Sequence, residues 1–206
     1  MSKAAGSEAL RDTRGRFEQW AQNPACEANT VSAVHNIPMR EVAKVENLDF
    51  TFGQSPFAIA RGNQFEAGLF RDEARVLRRS LAEAGVLPND GARFIDLRLR
   101  INGGSTFLSL DDAIAETTDL LTRAAAGLEK PVLAAGPTVR IPKGVMLPEA
   151  VLIIDVLVLL PAAQPPTRVV VGEVKAYPDR GGHTDVAKLA TARAQAGIYL
   201  HALDLT

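Results

Sequence analysis

Apolar residues recur at helical spacing between Ser55 and Gly85: Phe57, Ile59, Phe65, Leu69, Val76, Leu77 and Leu81. The pattern predicts one helix. Ser55-Pro56 opens it, with serine as N-cap and proline at the first helical position. Gly85 closes it. Gly62 lies inside this helix, where glycine costs roughly 1 kcal/mol against alanine and permits close backbone packing. Residues 93–101 then alternate, with Ile95, Leu97, Leu99 and Ile101 on one face and Phe94, Asp96, Arg98 and Arg100 on the other. That is a half-buried strand, ended by the turn Asn102-Gly103-Gly104. A second helix is expected over 110–127, started by Ser109 or Asp111.

Residues 131–148 are rich in Pro and Gly and predict one or two short strands. Val151–Leu160 and Arg168–Lys175 are apolar, β-branched runs that predict two further strands. A last helix is expected from a Thr184 cap to about Leu203. Its polar stripe carries Lys188, Thr191 or Ala192, Gln195 and Tyr199. Val186, Leu189, Ala190 and Leu200 are expected to face the sheet, with Ala196 and Gly197 allowing close approach. Before residue 55 the pattern is weak: a short helix around Phe17 and Trp20, then an irregular stretch over 23–52. The chain therefore divides into an N-terminal helix and arm, 1–54, and a main domain, 55–206. The order α, β, α, β, β, α predicts an α/β fold with a mixed central sheet flanked by helices.

Composition adds limits. A length of 206 residues suffices for a sizeable core. The net charge of −1 gives no global positive field, so nucleic-acid binding has to come from a local groove. Cys26 is the single cysteine, which excludes an intrachain disulfide and a cysteine-built iron–sulfur cluster. The first residues lack the apolar core of a signal peptide. The longest apolar run carries Asp155 and is too short to span a bilayer. A cytoplasmic protein with no membrane partner is expected.

The two charged strands carry the chemistry. Asp155 interrupts Val151–Leu160, and Glu173 and Lys175 share one face of the next run. Ionised groups in buried strands are costly unless they are paired or bind a metal. The plain alternative is an Asp155–Lys175 or Glu173–Lys175 pair that neutralises itself at a sheet edge. If the strands are neighbours, two carboxylates and an ammonium converge. Hard oxygen ligands of this kind suit Mg²⁺ or Mn²⁺. Such a cation polarises a phosphoryl oxygen and lowers the pKa of a bound water. Lys175 is then placed to position that water or to stabilise charge on the phosphorane. Arg180 and Lys188 flank the proposed site and are candidates to grip a phosphate backbone. Arg71, Arg75, Arg78 and Arg79 alternate with acids and read as a salt-bridged surface face.

Asp155 in an apolar strand, then Glu173-Val174-Lys175, then Gln195-Ala196-Gly197-Ile198-Tyr199 resembles the RecB-like branch of the PD-(D/E)xK nuclease superfamily. There a D…ExK core precedes a helix bearing Q-x-x-x-Y. Arg61-Gly62-Asn63-Gln64-Phe65-Glu66 is similar to the G-x-x-[FH/E]-like motif of an upstream helix in that branch. The resemblance covers roughly residues 55–203. It implies a restriction-endonuclease-like core, with Asp155, Glu173 and the Val174 carbonyl as metal ligands and Lys175 as the catalytic lysine. It further implies that Gln195 and Tyr199 line the active site. Glu66 becomes an additional metal ligand, at a position where many relatives carry histidine.

The function implied is a Mg²⁺- or Mn²⁺-dependent deoxyribonuclease without an iron–sulfur cluster. It would act on DNA in repair, recombination or defence against foreign DNA, with a helicase or another protein of such a system as a further partner. Relatives are often one domain of a larger polypeptide, so a longer natural protein is expected. Two alternatives remain: a catalytically inactive, nuclease-derived module that binds nucleic acid or protein, and an unrelated α/β protein in which Asp155, Glu173 and Gln195 lie far apart.

Overall fold

The computed structural model describes residues 16, 19–21, 23–35, 37–48, 56–88, 91–98, 109–142, 150–162, 167–176, 181 and 183–206. The stretch expected to be irregular holds two short helices, α1 (Glu27–Val34) and α2 (Met39–Val45). Neither has a side-chain N-cap, which is why the sequence signals them poorly. A polar tether helps to hold α1 instead. The buried Asn29 amide donates to the carbonyls of Gln19, Trp20 and Asn23.

The single helix expected over 55–85 is two: α3 (Pro56–Leu69) and α4 (Arg71–Glu83). Asp72, Glu73 and Ala74 have φ of 52°, 53° and 55°, a left-handed turn that costs L-residues roughly 1–2 kcal/mol each. Phe70, just before the turn, and Ala74, its last residue, are both buried against the sheet. That shared burial is the favourable term offsetting the strain. Phe57, Ile59 and Phe65, part of the apolar pattern that predicts the helix, are exposed, Phe57 by 76%. A Cβ at Gly62 would meet nothing within 4 Å, so the close packing expected there is absent. The arginines of α4 do lie among acids: Arg75 is 3.9 Å from Asp72 and Arg78 is 4.0 Å from Glu73.

A four-stranded sheet forms the centre, in the order β1 (Arg93–Asp96), β2 (Val132–Ala135), β5 (Val156–Leu160), β6 (Arg168–Gly172). β1 and β2 are parallel and the other pairs antiparallel, so the sheet is mixed, as expected. Period-two alternation gives it two apolar faces. Leu133, Ala135, Val156, Val158 and Val170 meet Phe70, Ala74, Leu77 and Leu81. Val132, Ala134, Leu157 and Leu159 meet Leu120 and Ala124 of α5 (Leu110–Ala125). Ser109 caps α5 by accepting from the Asp112 N–H.

The strand expected over Val151–Leu160 is broken. Its first half is β4 (Ala150–Ile153), paired with β3 (Thr138–Ile141) in a separate two-stranded sheet. Register nevertheless runs through without slip. Ala135 faces Val156 and Thr138 faces Ile153, leaving Gly136-Pro137 opposite Ile154-Asp155. Across the corner the Gly136 N–H donates to the Asp155 carbonyl and the Ile154 N–H to the Pro137 carbonyl. One long hairpin thus bends between two sheets, and Asp155 sits at the bend rather than inside a strand. The Thr117 hydroxyl of α5 accepts from the buried Thr138 N–H at 2.9 Å, which satisfies the backbone just past the corner.

The last helix, α6 (Val186–Asp204), is capped by Asp185, whose carboxylate accepts from the Ala187 and Lys188 N–H groups. Thr184, expected as the cap, does not serve. The packing face also differs from expectation. Val186 is 81% exposed, and Leu189 and Leu200 are exposed too. A Cβ at Gly197 would meet nothing within 4 Å. Ile198 and Ala202 are buried on β3 and β4, with Tyr199 and Leu203 beside them. The stripe bearing Tyr199 is therefore turned inward.

Gly136 has φ +68°, and a Cβ there would lie 2.5 Å from Arg98 Cγ and 2.9 Å from Arg98 Cα. Both the backbone conformation and the contact penalise a side chain. Gly136→Ala is expected to lower the unfolding free energy by about 2–4 kcal/mol, measured by urea unfolding. A loss within about 0.5 kcal/mol, the usual size for a surface substitution, would contradict the corner geometry.

Candidate functional site

Asp155 at the hairpin corner and the residues that follow β6 meet at one end of the sheet. An antiparallel pair places the start of β5 beside the end of β6, since Val156 faces Gly172. Gly172 allows the approach: a Cβ on it would lie 3.1 Å from Val156 Cβ. Asp155 Oδ2 accepts from the Val174 N–H at 2.8 Å. The aspartate is thus bonded to the middle residue of Glu173-Val174-Lys175, while the Val174 side chain packs into the core.

The Glu173 side chain is only 6% exposed, and its Oε1 lies 2.5 Å from Lys175 Nζ. Burial raises its pKa above the usual 4.5, and the Asp155 charge raises it further. The bond and charge of Lys175 and the hydroxyl of Tyr199 pull the other way. Tyr199 thus packs its ring on the β3–β4 layer and turns its polar end to Glu173. Oε2 of Glu173 and Oε1 of Gln195 are buried and have no hydrogen-bond partner among the described residues. Gln195 lies one turn before Tyr199 on the same side of α6.

Glu66, on α3, is brought toward this cluster. Its pKa is raised first by burial and then by the Asp155 charge, and lowered by Arg98. Asp155 therefore bears electrostatically on both glutamates. Among the described residues no three of His, Cys, Asp and Glu stand close enough together to hold a metal ion. Even so, the donor set suits a hard cation. It contains a buried carboxylate oxygen without a donor among the described residues, an aspartate beside it, and a third acid within electrostatic reach.

Lys188 is exposed in the first turn of α6, with its backbone N–H engaged by Asp185. Arg180 lies outside the described residues. Two neighbours of the site escaped the sequence reading. Arg98 forks onto Asp96, with Nε to Oδ1 and Nη2 to Oδ2 both at 2.9 Å. Its Nη1 lies 4.0 Å from Glu66 Oε1. The available signal was the Asp-x-Arg spacing on one face of β1, which the alternation already displayed.

Comparison with protein-family models, curated proteins and solved structures finds no match.

Glu66 and Glu173 both bind a proton more tightly in the folded state than in the unfolded chain. Between about pH 4.5 and their raised folded values the native state carries more protons, so their contribution to stability falls as pH rises. Without divalent cation, Glu173→Gln is expected to remove part of this fall. Urea unfolding of parent and variant across that window isolates the contribution of Glu173 from that of the other carboxylates. Parallel pH profiles for the two proteins would show that the buried charge is not destabilising.

Proposed function

We propose that this chain is a metal-dependent deoxyribonuclease of the RecB-like, PD-(D/E)xK type, with residues 55–206 forming its nuclease domain. The observation that carries the reading is the Asp155–Val174 bond. It joins Asp155 to the Glu-x-Lys segment beside a buried glutamate oxygen that has no donor among the described residues. The antiparallel run β2–β5–β6, followed by α6, supports a restriction-endonuclease-like core. The acids Asp155 and Glu173 lie at one end of that run, where Val156 faces Gly172.

Asp155 and Glu173 would hold Mg²⁺ or Mn²⁺, with the Val174 carbonyl and Glu66 as further oxygen donors. When bound, the cation polarises a phosphoryl oxygen and lowers the pKa of a coordinated water. Lys175, held on Glu173 at 2.5 Å, would position the attacking water and offset negative charge developing on the phosphoryl oxygens. Tyr199 steadies the Glu173 carboxylate, and Gln195 presents a buried carboxamide oxygen on the same side of α6. Lys188 and Arg180 are proposed as contacts to the phosphate backbone. A cytoplasmic role in DNA repair, recombination or defence follows from this activity, with a helicase or similar protein as partner.

A catalytically inactive module that binds nucleic acid or protein is the second reading. The Glu173–Lys175 pair, which offsets the buried carboxylate without a metal, favours it.

Cleavage of linear and circular, single- and double-stranded DNA separates the two readings. With Mg²⁺ or Mn²⁺ the parent is expected to cut, and EDTA to abolish cutting. Lys175→Ala and Asp155→Asn should each lower the rate by roughly 10²-fold or more while DNA binding remains. A folded parent that binds DNA but cuts nothing with either metal would leave the binding module as the surviving reading.

A further inference from the structure

The guanidinium of Arg98 is held on several sides at the end of β1. Leu97 N–H donates to the Ala135 carbonyl at 2.8 Å, so the β1–β2 ladder runs up to this residue. Asp96 grips Nε and Nη2 and also accepts from the Arg98 backbone N–H at 3.1 Å. The guanidinium carbon lies 4.7 Å from the centre of the Phe70 ring. Gly136 passes against Cγ and Cα, and the same Gly136 donates its N–H to the carbonyl of Asp155. Arg98 and Asp155 therefore flank one glycine. The Arg98 side chain is 15% exposed, so its rotamer freedom is already spent. Nη1 is directed toward Glu66 at 4.0 Å, beyond hydrogen-bond distance.

A structural tie to Asp96 needs only Nε and Nη2. It does not account for an Nη1 held in place and turned toward Glu66. A pre-organised guanidinium with donors to spare beside a cation-binding carboxylate set matches the non-bridging oxygens of a phosphodiester. Resting on the nuclease reading above, we infer that Arg98 is a phosphate-binding residue of the substrate site, positioned by Asp96, Phe70 and Gly136. Asp96 is its positioning residue. The ligand class is a phosphodiester held next to the acids, in addition to any backbone contacts along α6.

Binding is measured with a fluorescein-labelled oligonucleotide, single-stranded and duplex, by anisotropy in Ca²⁺ between about 0.05 and 0.2 M salt. The background is Lys175→Ala, whose cleavage is expected to be lower by roughly 10²-fold or more. Arg98→Gln is expected to raise Kd about tenfold and to reduce the slope of log Kd against log salt by about 1, one phosphate contact. Arg98→Lys keeps the charge, so it should keep the slope while raising Kd by a smaller factor. Arg93→Gln, at the far end of β1 and paired with Glu129, should leave both unchanged.

Lowered thermal stability in the Arg98 variants, with Kd and slope of the folded protein unchanged, overturns the assignment and leaves Arg98 a structural tie. If Arg98→Gln does not fold, Arg98→Lys decides: a Kd equal to that of its background overturns the assignment, and a raised Kd with retained slope supports it. Parent cleavage with Mg²⁺ is scored separately. A parent that cuts while Arg98→Gln binds normally removes only the Arg98 inference. A parent that binds no oligonucleotide removes both readings.

Discussion

The whole arrangement depends on one bent hairpin. The ladder that begins as β2–β5 continues in register as β3–β4, and the change of direction falls on Gly136-Pro137 against Ile154-Asp155. Glycine supplies the positive φ, and proline lacks an N–H that the corner would otherwise leave to be paired. The carbonyls of Pro137 and Asp155 are each taken by a cross-strand N–H, and Thr117 completes the pairing past the bend. Because the corner's backbone groups are satisfied, an acidic residue can occupy it. Two sheets result: the larger takes helices on both faces, and the smaller lies under α6.

At the site the balance of charge is set by burial. Glu173 is nearly sealed from solvent and faces a second acid, so its ionised form is disfavoured despite the bond from Lys175. Glu66 experiences the same pressure more weakly, with Arg98 in opposition. A purely structural ion pair needs one acid for one base. Here the acids draw on a lysine, an arginine, a tyrosine hydroxyl and a backbone N–H, and a buried oxygen of Glu173 still has no donor among the described residues. Such a collection gains most from a positive ligand.

Much of this was legible along the chain. β6, a helix start at Ser109 or Asp111 and one or two short strands after Pro131 follow from local pattern, whereas the meeting of Asp155 with Glu173 depended on their strands being neighbours. The break in Val151–Leu160 does not, because an apolar run buried on both sides carries no periodicity. Its cause lies on the partner strand, in Gly136-Pro137, and emerges only once the register is known. The face of α6 was misjudged for a related reason. Its surroundings include a charged sheet end, so an inward stripe with Tyr199 competes with a greasier outward one containing Val186 and Leu200. The α3–α4 break and the exposure of Phe57 and Phe65 are likewise tertiary outcomes. The Arg98–Asp96 fork was visible as spacing, but its relation to Glu66 required α3 and β1 to be placed side by side.

The seam between the two sheets also bears on how the molecule opens. β3, β4 and α6 share an apolar cluster largely their own, so they can detach together as a cooperative unit while the larger sheet stays formed. Such an excursion would carry away Tyr199 and Gln195 and free the backbone that fixes Asp155, leaving Glu173 and Lys175 just beyond an intact β6. Amide exchange at Ile154 and Gly136 would register it ahead of exchange at Leu133 or Val158. The acid cluster would then be dismantled in a state that is still mostly folded, and its lifetime would be governed by that partial opening rather than by the melting of the domain.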